Sequence, residues 1–140
     1  MKFKTNVEKR TVIVDNIIIN GFFSFSDGGK VFLIVNNGAT FNSEFLNANE
    51  NLIILIRDTA SININIPLNG KFYSYVYAKN ENVNISGSGE FYGAIIAKNL
   101  TNNLADTNNF IFVHPADVLS LKQYIKYNET YEYEFGYYEN

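Results

Sequence analysis

The residues able to carry chemistry are few and scattered. A single histidine, His114, stands before Pro115 and ahead of a helix-like run. It could complete a serine–histidine–aspartate relay only with partners from distant parts of the chain, so a cap or turn role suits it better. Asp58 could pair with Glu81 or Glu90 as the two carboxylates of a glycoside hydrolase do. Each of these acids falls near a turn and none clusters in sequence, which favours solvated side chains. "SDGG" at 26–29 and "LADTNN" at 104–109 offer oxygens without the spacing of a calcium loop. The glycines of "GSGEFYG" lie between strand-like runs, with no helix start to receive a phosphate. With no cysteine and one histidine, neither a disulfide framework nor a thiolate or histidine-rich zinc site can be assembled. The expectation is a protein that is not an enzyme and uses no cofactor or metal.

Charge and hydropathy narrow the partners. The net charge is −3, from 11 Lys and Arg against 14 Asp and Glu, and no basic run exists to displace counterions from a phosphate backbone. Nucleic acid is not an expected partner. No apolar stretch approaches the roughly 18 residues of a membrane span, and "MKFKTNVEKRTVIV" has a basic start without a signal-peptide core. The chain reads as soluble as written, or as a domain excised from a longer anchored protein.

The elements that must position any site are strands. β-Branched and aromatic residues fill short runs separated by Asn, Asp, Ser and Gly: "TVIV", "NIIIN", "FFSF", "KVFLIV", "NLIILI", "SININI", "KFYSYVYA", "NVNIS" and "EFYGAIIA". Only the segment near 116–126 reads as a helix, with Pro115 suited to its first turn and Asp117 to its dipole. "YEYEFGYY" predicts a C-terminal strand near 130–138 that covers the end of the fold.

Repetition sets the architecture. At an offset of nineteen, Asn65, Ile66, Gly70, Phe72, Tyr73, Ala78, Lys79 and Asn80 meet identical residues from Asn84 to Asn99. Upstream, "ILIRDTASININI" fits "YVYAKNENVNIS" at an offset of twenty-one, and "FLIVNNGATF" fits "ILIRDTASIN" one coil further back. Coils of about 19–22 residues, each with two or three short strands, predict one all-β domain over 1–140, a parallel β-helix. A sandwich or antiparallel barrel is the competitor, but neither requires identical residues at equal spacing.

"NVNISGSGEFYGAIIAKNLT" resembles the repeat of a bacterial surface-protein family with a right-handed parallel β-helix, found in pilus-associated, minor-pilin-like and choice-of-anchor surface proteins. Gly87, Gly89, Phe91, Tyr92, Gly93, Ala94, Ile95, Ile96, Ala97 and Asn99 carry the likeness, which covers about residues 62–101. "VHPAD" at 113–117 departs from the pattern. The resemblance implies an extracellular or cell-surface setting and a structural or adhesive role.

Strand alternation orients the side chains independently. With Phe91 inward, Gly93, Ile95 and Ala97 follow it, and Phe72, Ser74, Val76 and Ala78 do so one coil earlier. Tyr73, Tyr75, Tyr77 and Tyr92 then face outward with Ala94 and Ile96, an apolar surface that is either covered or used. The helix near 116–126 is the expected cover. Otherwise Tyr73, Tyr75, Tyr77 and Tyr92 form a platform for a polysaccharide or a cell-surface protein, or are buried in an oligomer. Gly87 and Gly89 are expected at positive φ, and Gly93 at a close approach between coils. The functional expectation is a non-catalytic structural or adhesive module. A polysaccharide-binding module and a polymer-forming scaffold resembling bactofilins are the alternatives.

Overall fold

Alternation of Ile62, Ile64 and Ile66 with Asn63 and Asn65 makes Ile62–Ile66 a strand whose isoleucines are buried and whose asparagines are not. The same period recurs through the molecule. The computed structural model describes residues 2–3, 9–25, 30–46, 52–56 and 61–113. Its strands are β1 (Lys2–Phe3), β2 (Lys9–Asn20), β3 (Ser24–Phe25), β4 (Lys30–Asn42), β5 (Leu52–Ile56), β6 (Ile62–Ile66), β7 (Lys71–Gly87), β8 (Glu90–Leu104) and β9 (Phe110–Phe112). Every pairing among them is parallel, and the main sheet runs β2-β4-β5-β7-β8-β9, with β6 between β4 and β7. The chain is a β-solenoid of about four turns.

Each coil contributes up to three laddered runs, called here the first, second and third faces. The first stacks residues 9–14, 30–35, 52–56, 74–78 and 93–97, and the second stacks 16–20, 38–42, 62–66, 82–87 and 99–104. The third stacks 23–25, 45, 71–73, 90–92 and 110–112. Inward columns fill the core because parallel stacking places like on like. Leu33, Ile54 and Val76 form one buried column, and Ala39, Ile62 and Val83 another. On the third face Phe23, Phe45, Phe72, Phe91 and Phe110 stand in one column, with successive ring centroids 4.7, 6.2, 6.2 and 5.0 Å apart. The first four rings are buried, so this column is the spine of the fold.

The observed register corrects parts of the repeat alignment. Phe72 on Phe91, Tyr73 on Tyr92 and Ala78 on Ala97 keep the nineteen-residue offset. Asn84 and Ile85 pair instead with Asn63 and Ile64, and Asn99 pairs with Asn82. The irregularity between Ala78 and Asn82 takes up the difference. Further upstream, Ile54 pairs with Val76 and Leu33, and Phe41 with Ile64, so the offset changes between the faces of one coil. Because corners differ in length, no single period describes the chain.

The glycines divide by cause. Gly87 has φ +101° and turns a corner, as expected. Gly89 does not take positive φ; a Cβ there would strike Ile66 and the carbonyls of Pro67 and Gly70. Gly93 (φ +150°) lies so close to the Ser74 carbonyl that a Cβ would collide with it. The helix expected near 116–126 and the strand near 130–138 lie outside the described residues, as does His114.

Candidate functional site

Outward residues on the third face form the best-defined cluster of functional groups. β7 carries Lys71 and Tyr73 two residues apart, hence on one side of the strand, and β8 carries Glu90 and Tyr92 in the same relation. Parallel pairing sets Lys71 beside Glu90 and Tyr73 beside Tyr92, with Ile111 of β9 next to Tyr92. The two phenol rings stack at 4.7 Å with planes 18° apart, and both are half-buried. The Tyr92 hydroxyl donates to Glu90 Oε1 at 3.0 Å, and Lys71 Nζ lies 5.8 Å from the Tyr92 ring centroid. Partial burial, the hydrogen bond to Glu90, the negative charge of Glu90 and the repulsion that two adjacent phenolates, Tyr92 and Tyr73, would exert raise the Tyr92 pKa above the ordinary phenol value. The cluster therefore presents ring edges, a phenol oxygen, a carboxylate and an ammonium. It is equipped to recognise a hydroxyl-rich ligand or a polar protein surface.

The four outward tyrosines do not share one environment. Tyr75 is 3% exposed and Tyr77 8% exposed, and they form a second buried cluster with Phe32 and Ile34, against which Ala94 packs. Ile96, next to Tyr77 in the ladder, is 49% exposed. Only Tyr73 and Tyr92 retain substantial exposure. Sequence reasoning missed Lys71 and Glu90 as their neighbours; the i, i+2 spacing on each strand was the available signal.

Among the described residues the remaining candidates are not brought together. Glu81 is half-buried at the irregularity in β7, and Glu90 is held by Tyr92. Asp58 and "SDGG" at 26–29 lie outside the described residues. In "LADTNN", Asp106 caps the short 3-10 turn Thr107–Asn109, its carboxylate accepting from the Asn108 amide at 2.9 Å. Among the described residues no group of three His, Cys, Asp or Glu could hold a metal, and no helix is long and apolar enough to cross a membrane.

Asparagines stack on the second face. Asn42 Nδ2 donates to Asn20 Oδ1 at 2.9 Å, and Asn84 Nδ2 to Asn63 Oδ1 at 3.0 Å. Asn99 Nδ2 donates to Asn82 Oδ1 at 2.9 Å. These amide ladders satisfy side chain with side chain between coils. Comparison of the chain with protein-family models, curated proteins and solved structures returns no match, so the likeness to surface-protein repeats rests on the motif between residues 62 and 101.

Proposed function

We propose that the chain is a non-catalytic structural or adhesive module of a bacterial cell-surface or pilus-related protein, working outside the cell through the third face of its solenoid. The observation that supports this reading is the half-exposed Tyr73–Tyr92 stack with Lys71 and Glu90 beside it. A rigid ladder holds these groups before any ligand arrives, which lowers the entropy lost on binding. The bacterial surface setting is drawn from the motif resemblance.

A polysaccharide is the ligand this chemistry favours. Ring edges pack against the apolar faces of sugars while the carboxylate, ammonium and phenol hydrogen-bond their hydroxyls. A cell-surface protein is the second partner class. Depletion from solution by insoluble cellulose, chitin and peptidoglycan tests the reading. Retention on one of them, lost in the double variant Tyr73→Ala with Tyr92→Ala at an unchanged fold, is the expected result. Equal retention of variant and parent, or release of soluble sugars by the parent, would contradict it.

A further inference from the structure

On the first and second faces the outermost levels, β2 and β8, share a property that the inner levels lack. Following the pairings through the molecule, residues 11–20 stand on the columns of residues 94–103, one for one. Both levels pass from first to second face through a single residue, Asp15 between Val14 and Asn16, and Lys98 between Ala97 and Asn99. The intervening levels use longer corners, residues 36–37 in β4 and 79–81 in β7. Among the described residues, neither 11–20 nor 94–104 pairs with a strand on its outer side.

Beyond Lys9 and Arg10 at the start of β2, these edges carry little of the usual protection. Charged residues and prolines normally blunt an edge strand. Here 11–20 carry one charge, Asp15, and 94–103 carry one, Lys98; neither segment has a proline. Both charges are exposed and of opposite sign. Ile13 and Ile18 on β2, and Ile96 and Leu100 on β8, are exposed apolar side chains. Leu100 is 44% exposed although it continues the buried column of Ala39, Ile62 and Val83, and among the described residues no strand stacks on it.

We propose that β8 of one molecule receives β2 of a second copy of this chain, parallel and in that register, so that coils continue from molecule to molecule. Asp15 then meets Lys98, Ile13 meets Ile96, Ile17 meets Leu100, and Asn20 extends the polar column ending in Asn103. The contact repeats the coil-to-coil interface already built inside the chain. On the third face β9 occupies the place that β1 would take in the incoming copy, with Phe112 on the column of Phe3. The two-residue β1 gives way to the three-residue β9, whose Phe112 is exposed in the single molecule. The contact is head-to-tail, so its product is an open filament. This inference goes beyond the adhesive reading and does not depend on it.

Sedimentation velocity over a range of concentrations, with negative-stain electron microscopy of the full chain, tests it. Linear species that grow with concentration are expected. Lys98→Asp or Asp15→Lys alone should weaken association by roughly two- to fivefold, the range of an exposed ion pair, and the two together should restore it. Ile96→Lys, at an exposed position, should leave the circular dichroism unchanged while shortening the assemblies. A single monomer at every concentration would overturn the proposal. So would a closed two-fold dimer, or assemblies indifferent to these substitutions.

Discussion

Phe72 stacks on Phe91 with ring centroids 6.2 Å apart and planes inclined by 14°, and both rings are buried. Phe91 also stacks on Phe110 at 5.0 Å, so it touches aromatic neighbours on both sides. Phe91→Ala should therefore cost about 3–5 kcal/mol, as truncation of a buried aromatic does. Phe112→Ala, at a residue 64% exposed, should change stability by less than about 0.5 kcal/mol. Urea midpoints of the two variants check the contrast; equal midpoints would contradict the burial of Phe91 in the aromatic column.

Gly93 and Gly21 separate close approach from backbone conformation. Gly21 has φ +84° with nothing within 4 Å of a Cβ, so Gly21→Ala carries only the left-handed cost of about 1–2 kcal/mol. Gly93→Ala would in addition force the Ser74 carbonyl away and break the ladder between β7 and β8. Its thermal midpoint should fall clearly further. Equal losses would show that the coils have room to part at Gly93.

The strands, the parallel stacking and the inward placement of Phe72, Phe91, Val76 and Ile95 were legible because alternation and repetition mark them directly. The upstream register was legible only in part: the offset of twenty-one holds where Ile62, Asn63, Ile64 and Asn65 pair with residues 83–86, but not where Ile54 pairs with Val76. Corner lengths vary from Asp15 alone to residues 79–81, and a one-residue slip in a strand exchanges its two sides. The phenylalanine column escaped notice for the same reason: Phe23, Phe45 and Phe72 are unequally spaced in sequence yet adjacent in space. Of the candidate site, the outward tyrosines were readable from alternation. The burial of Tyr75 and Tyr77 was not, since it depends on what packs beyond the sheet.

Tyr92 provides a probe of the third face. Its pKa is raised in the folded chain, chiefly by partial burial and then by Glu90, whereas an unfolded phenol titrates near 10. The folded state holds this proton more tightly, so the associated stability is present below about pH 10 and is lost as pH rises through the folded value. Tyrosinate absorbance, taken as the difference between parent and Tyr92→Phe, should show ionisation above the ordinary range. Glu90→Gln should move it back down. Titration of Tyr92 at the ordinary value in both proteins would contradict the Tyr92–Glu90 contact.

Ser43 offers a stabilising substitution. Its amide donates to the Asn65 carbonyl at 3.1 Å, while its buried hydroxyl has no hydrogen-bond partner among the described residues. Ser43→Ala removes an unpaired polar group and keeps the backbone contact, so the melting temperature should hold or rise. A loss above about 1 kcal/mol would mean that the hydroxyl is paired in solution.

Engineered cysteine pairs test the coil register most directly, since the chain contains no cysteine of its own. Asn63 is the ladder partner of Asn84, whereas a uniform nineteen-residue repeat would place Asn65 there. Adjacent strands lie about 4.8 Å apart, within the Cα separation a disulfide accepts, and a diagonal neighbour lies at about 7–8 Å, beyond it. Mild oxidation of Asn63→Cys with Asn84→Cys should therefore form an intramolecular disulfide, seen by mass spectrometry and gel mobility, while Asn65→Cys with Asn84→Cys should stay reduced. Cross-linking of the second pair and not the first would contradict the solenoid register on which every assignment of face and column rests.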